Sequence, residues 1–149
     1  MIEIKEIRDL ETLLSWRREV IRNVFDIEPT EKLMAANEEY YRTHEADGGH
    51  VAFMALVDGV AAGCGGLCFS DELPSPDNES GRCGYLMNIY VKEAFRNHGV
   101  AHSIVRRLVH EAKERGCGKI YLETTGEGRS VYASLGFVDM PDMMKLMNL

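Results

Sequence analysis

The sequence predicts an α/β (α+β) protein: a mixed, mostly antiparallel central sheet of about six to seven strands with helices on both faces. Three observations lead there. Strand-like and helix-like apolar patterns alternate along the chain in the order β-α-α-β-β-β-α-β-α-β-β. Asp58-Gly59 separates two apolar runs, HVAFMALV and VAAGCGGLCF, as a hairpin turn does, because both turn residues must accept positive φ. Residues 83–91 are nearly continuous in apolar side chains, which fits a central strand covered on both faces.

The elements follow in order. Ile2 to Ile7 alternates as a short strand. Asp9 is placed to cap a helix from Leu10 to about Phe25, where Leu10, Leu13, Leu14, Arg17, Val20, Ile21 and Val24 form a mostly apolar stripe. Pro29 and Thr30 begin a second helix to about His44, with Leu33, Asn37, Tyr40 and Tyr41 on one side, and Gly48-Gly49 breaks it. The hairpin follows, then a long acidic loop, SDELPSPDNESGR, and the strand from Cys83 to Val91. Val100 to Arg115 is a helix with Ala101, Ile104, Val105, Leu108 and Ala112 on one face and Gly116 at its end. KIYLETT is a strand and Arg129 to Leu135 a short helix. GFVDM and MMKLMNL read as terminal strands with Pro141-Asp142 between them. No repeat or linker interrupts the pattern, so residues 1–149 read as a single domain.

Bulk properties narrow the function. A net charge of −7 argues against a general nucleic-acid binder, which needs a basic field to displace counterions. The N-terminal MIEIKEIRDLE has no apolar signal core, and no apolar run is long enough to cross a bilayer, so no membrane partner is expected. Cys64, Cys68, Cys83 and Cys117 form no CxxC pair, which fits reduced thiols in the cytoplasm and no zinc site. His98, His102 and His110 share a helix face, but no carboxylate completes a ligand set, and no metal is expected. Met140, Met143, Met144 and Met147 suit either adaptable packing or the edge of a homodimer.

Two segments carry chemistry. RNHGVA, from Arg96 to Ala101, joins the central strand to a helix N-terminus, where unpaired N–H groups and a partial positive charge favour phosphate. Gly99 lets the backbone approach a ligand closely. Neither a Walker loop nor a dinucleotide GxGxxG is present. Taken alone, the turn reads first as an ordinary loop with a glycine. The second segment runs from Tyr132 to Phe137, YASLGF, a helix end closed by Gly136.

Together the two segments resemble the GCN5-related N-acetyltransferase (GNAT) family, which joins [RQ]-x-x-G-x-[GA] to Y-x-x-x-G-F through one helix and one strand. Arg96, Gly99 and Ala101 match the first motif, and Tyr132, Gly136 and Phe137 the second. The resemblance implies the GNAT fold, acetyl-CoA as co-substrate and a primary amine of a small molecule or peptide as acceptor. It implies that the pyrophosphate lies on the backbone N–H groups of Arg96, Asn97, His98, Gly99, Val100 and Ala101. The pantetheine arm would run along Ile89, Tyr90 and Val91, in a splay between that strand and KIYLETT. A strand N–H near Ile89 would polarise the thioester carbonyl. Tyr132 would be the acid that protonates the departing thiolate, and its ordinary pKa near 10 keeps it protonated at neutral pH.

The sequence also departs from the family. Several members carry a glutamate on the central strand as general base, and YLMNIYV has none. The base is then Glu123 on the next strand, an acid of the 71–79 loop, or a water chain. Thr125 stands where the family often has asparagine, and its hydroxyl can still bond a ligand or water. Arg129 either meets a CoA phosphate or solvates the surface. The acidic loop is either a solvated crossing or a rim that attracts a cationic amine, and residues 25–30 are the other expected acceptor wall. The missing glutamate leaves two rivals: an acyl-CoA-binding module without turnover, and an enzyme for a longer acyl donor.

Overall fold

In the computed structural model, residues 1–147 and 149 are described, and five strands form one sheet in the order β1-β2-β3-β4-β5. They are β1 (Ile2–Glu6), β2 (His50–Val57), β3 (Val60–Asp71), β4 (Arg82–Val91) and β5 (Lys119–Leu122). Neighbours are antiparallel except β4 and β5, which run parallel and are joined through a helix. The helices are α1 (Leu10–Val24), α2 (Glu31–Asp47), α3 (Val100–Glu114) and α4 (Arg129–Ser134). The expected element order therefore holds as far as α4.

The two terminal strands do not form among the described residues, so the sheet has five strands where six or seven were expected. Segment 136–140 is irregular. The expected strand 143–149 includes Asn148, which lies outside the described residues, and the rest of it is not in a strand. The apolar side chains are present but meet no surface: Val138, Met144 and Leu146 are 85%, 99% and 75% exposed. An alternating pattern becomes a strand only where a face and a partner receive it. The terminal methionines are likewise exposed rather than packed. β5 is also shorter than KIYLETT and ends at Leu122.

Helices cover both faces of the sheet. On one face α3 buries Ile104, Val105, Leu108 and Ala112 against Phe53, Ala55, Leu67 and Leu86. Its close seat depends on β3: a Cβ on Gly65 would lie 2.6 Å from Ile104 Cγ2 and 3.0 Å from Leu108 Cδ1. On the other face α1 and α2 pack Leu13, Trp16, Val20 and Tyr41 against Ala52, Cys64 and Tyr90. The Asp9 side chain accepts from Thr12 N at 2.9 Å, and Thr30 caps α2 by accepting from Leu33 N at 3.1 Å. β4 is thus the covered central strand expected from its apolar run.

His50 lies under α2, with Nδ1 2.9 Å from the Tyr40 hydroxyl and its ring edge-on to Tyr40 and Tyr41. Burial above all, with the charges of His44 and Arg17, lowers its pKa from 6.5 to about 4. The unfolded chain therefore binds a proton that the folded chain refuses, and stability is lost as pH falls from 6.5 towards 4. We expect the melting temperature to drop over that window in wild type. His50→Gln should flatten the part of the drop above pH ~4.5, where most carboxylates are still ionised. Equal slopes for the two proteins would remove His50 as the cause.

Candidate active site

The ladder between β4 and β5 is short. It runs from Cys83 opposite Lys119 to Leu86 opposite Leu122 and stops there, while β4 continues to Val91. On the β3 side, Met87 faces Gly66 and Tyr90 faces Cys64, so Asn88 and Ile89 together oppose Gly65. This is a β-bulge, and Asn88 takes φ 59° to make it. Asparagine tolerates this conformation better than the β-branched residues around it. The expected splay beside Met87 to Val91 is therefore present, with one edge of the strand released.

The turn that follows β4 has the geometry its sequence implies. A short 3-10 turn, Glu93–Phe95, leads to Arg96. Asn97 and Gly99 then adopt φ 65° and 80°, and α3 begins at Val100 with no side-chain cap. Uncapped N–H groups at a helix start are free to bind an anion. Nothing lies within 4 Å of where a Cβ on Gly99 would stand, so the space above the turn is open. Val100 is buried and anchors α3, whereas Arg96, Asn97, His98 and Gly99 are exposed and Ala101 partly so. Arg96 donates from Nε to the Val91 carbonyl at 3.0 Å, so this edge acceptor is already shared. Ile89 and Val91 are half-buried, and Tyr90 is buried under α1.

Tyr132 is half-buried at the end of α4, its ring edge-on to Phe137 at 5.9 Å between centroids. Burial raises its pKa, so the hydroxyl stays protonated well past neutrality. Glu123, Thr125 and Arg129 all lie at the surface. Glu123 is exposed just beyond β5, not in an apolar setting. Thr125 is exposed and precedes a 3-10 turn, Gly126–Gly128. Arg129 is ion-paired to Asp139, so its charge already has a protein partner.

Beside the bulge, on the α1–α2 face, is a cavity of about 250 Å³. Arg17, Ala36, Asn37, Tyr40 and Tyr41 line it from the helices, and His50, Cys68, Met87 and Asn88 from the sheet. No residue of the 71–79 loop lines it. That loop is tied down elsewhere: Glu72 accepts from Lys119 Nζ at 3.2 Å and from Asn78 Nδ2 at 3.2 Å. Residues 25–30 are also absent from the lining, although Arg17 Cζ lies 5.9 Å from the Phe25 ring centroid. Within the cavity wall, Arg17 donates from Nε to Asn37 Oδ1 at 3.0 Å and from Nη1 to Asn88 Oδ1 at 2.7 Å. The Tyr40 hydroxyl meets His50 Nδ1 and Cys68 Sγ, each at 2.9 Å. Sequence reading missed this group. Its signal was Arg17, a charge inside an apolar stripe, together with Asn37 on the matching side of α2.

A family model described as acetyltransferase (GNAT) family matches residues 11–137, which takes in the bulge, the turn and Tyr132. The chain belongs to the GNAT family. A Clostridium acetobutylicum protein described as a predicted acetyltransferase, solved with acetyl-CoA, superposes with a TM-score of 0.85 at 31% identity, covering 98% of this chain and 96% of that one. The uncharacterized N-acetyltransferase YjgM of Escherichia coli (strain K12) is 30% identical over 103 residues, 67% of this chain and 58% of YjgM. A probable glucosamine 6-phosphate N-acetyltransferase 2 of Oryza sativa subsp. japonica is 44% identical over 59 residues, 40% of this chain. That match spans only 36% of the rice protein's length.

In this GNAT protein the turn makes a direct prediction. Gly99→Trp places a large side chain in the open space above the turn, and the positive φ costs it roughly 1 kcal/mol of stability. The dissociation constant for acetyl-CoA, measured by calorimetry, should rise at least ~10-fold, while the far-ultraviolet circular dichroism stays that of wild type. Unchanged affinity would sink the phosphate role of residues 96–101.

Proposed function

We propose that this protein is an N-acetyltransferase that moves the acetyl group of acetyl-CoA to the primary amine of a small molecule by direct attack. One observation carries the reading. The bulge at Asn88 and Ile89 lies between two separate spaces: the released edge of β4, which leads to the phosphate-type turn, and the cavity under α1 and α2. A donor along the edge and an acceptor in the cavity meet at the bulge. The match to a protein solved with acetyl-CoA supports that donor.

In this reading the pyrophosphate rests on backbone N–H groups from Arg96 to Ala101, and the pantetheine amides pair with the free edge of residues 89–91. Arg96 yields or shares the Val91 carbonyl when they do. An N–H at the bulge, near Ile89, faces the thioester oxygen and stabilises the charge that develops on it. The amine nitrogen bonds to the thioester carbon, the carbon–sulfur bond breaks, and the sulfur leaves with the electron pair. Tyr132 supplies the proton that the thiolate takes, and it regains one from solvent, which receives the proton lost by the amine. Its high pKa makes it a reservoir that is still full when the amine is deprotonated. The cavity lining holds no carboxylate, so the proton lost by the amine passes to water rather than to a fixed acid of the wall. Glu123, exposed beyond β5, can receive it only through solvent.

Thiol release from acetyl-CoA across a panel of primary amines tests the reading. Tyr132→Phe should lower kcat about 100-fold or more with little change in acetyl-CoA affinity. The wild-type rate should climb with pH as the amine deprotonates and show no loss through pH 9, because the Tyr132 pKa is raised, not lowered. Tight CoA binding with no turnover of any amine would favour a binding module. Tighter binding of longer acyl-CoAs in competition would favour a different donor.

A further inference from the structure

We propose that the acceptor amine carries an anionic group, a carboxylate or a phosphate, and that Arg17 binds it. The proposal rests on the acetyl-transfer reading above and deepens it. Arg17 sits at a core-facing position of α1, between the buried Leu13, Trp16 and Val20. It is partly buried and lines the cavity. Yet no carboxylate lies within ion-pair distance of it among the described residues. A half-buried cation without a counterion is costly, and an anion in the cavity offsets that cost.

The hydrogen bonds of Arg17 fit this role. Its protein acceptors are two neutral amides, Asn37 and Asn88, which fix the guanidinium without cancelling its charge. Nε and one Nη1 proton are used, which leaves further donors of the planar fork for a ligand. Carboxylate and phosphate both match that fork. No other Lys or Arg lines the cavity, and no Asp or Glu does, so the wall has a positive centre. Asn88 is also the bulge residue, so the anion site is held one side chain away from the place where donor and acceptor meet. At about 250 Å³ the cavity admits a small acceptor, below the ~300–1,000 Å³ of drug-sized sites. The class is a small amine that carries one acidic group.

Matched pairs test it: an α-amino acid against its carboxamide, and an amino-sugar phosphate against the free amino sugar. In wild type the charged member of at least one pair should show kcat/KM about 30-fold or more above its neutral partner, a charge-assisted bond's worth. Which pair responds tells carboxylate from phosphate. Arg17→Met should shrink that advantage to about threefold or less, acting mainly on KM, with acetyl-CoA affinity unchanged. Arg17→Lys should recover part of it. Arg17→Gln keeps hydrogen-bonding capacity without the charge and replaces Arg17→Met if that variant does not fold. Neutral amines that match or beat charged ones in wild type would overturn the proposal, as would a preference untouched by removing the charge. If no amine turns over, the acetyl-transfer reading fails by itself, and calorimetry with CoA-loaded protein judges the anion site. Charged amines that bind wild type and not Arg17→Met uphold it, and no difference between the two proteins defeats it.

Discussion

The whole arrangement depends on where the hydrogen-bonding ladder of the central strand stops. β4 is held by β3 along most of its length but by β5 only through Leu86. A strand buried on both faces normally fills both of its edges, because an unpaired buried N–H or C=O is expensive. Here the last residues of β4 keep one edge unfilled, and the bulge at Asn88 turns the chain at the same place. The free edge, the splay beside it and the direction of the turn into α3 are all results of that early parting. Arg96, reaching back to the Val91 carbonyl, gives one edge group a side-chain partner.

The polar groups around the bulge divide into two kinds. Tyr40, Tyr41, His50 and Cys64 are pushed by burial towards their neutral forms, and Tyr41 rises to about 12. They provide shape and hydrogen bonds without charge. Arg17 is the exception on that face. A guanidinium keeps its proton where a lysine would surrender it, so a cation placed there stays a cation. The electrostatic character of the acceptor side therefore comes from one side chain held by two amides.

Much of this was legible in the chain. Gly99 and Tyr132 mark their places because the turn needs an open left-handed residue and the proposed transfer needs a protonated donor for the sulfur. Both are local requirements that local sequence can express. Asp58-Gly59 and the run from Cys83 to Val91 fixed the hairpin and the central strand in the same way. What could not be read depended on partners distant in sequence. GFVDM reads as a strand, but no sheet edge among the described residues takes it up. Glu123 reads as a strand residue of KIYLETT, yet β5 ends one residue earlier. Arg17 and Asn88 are 71 positions apart, and no periodicity announces that they touch. The hint lay in the exception, a charge in an apolar stripe.

Gly65 sits on β3, opposite the bulge and under α3, and with no side chain of its own it lets Ile104 and Leu108 settle onto the strand. The depth of that seat sets the height of the α3 N-terminus above the end of β4. A methyl group added at Gly65 would lift the helix like a shim under one end of a beam. The interior spacing of the core is in this way also the ruler that positions the turn of residues 96–99. A change in the core can therefore move the turn that opens α3 without touching any residue of that turn.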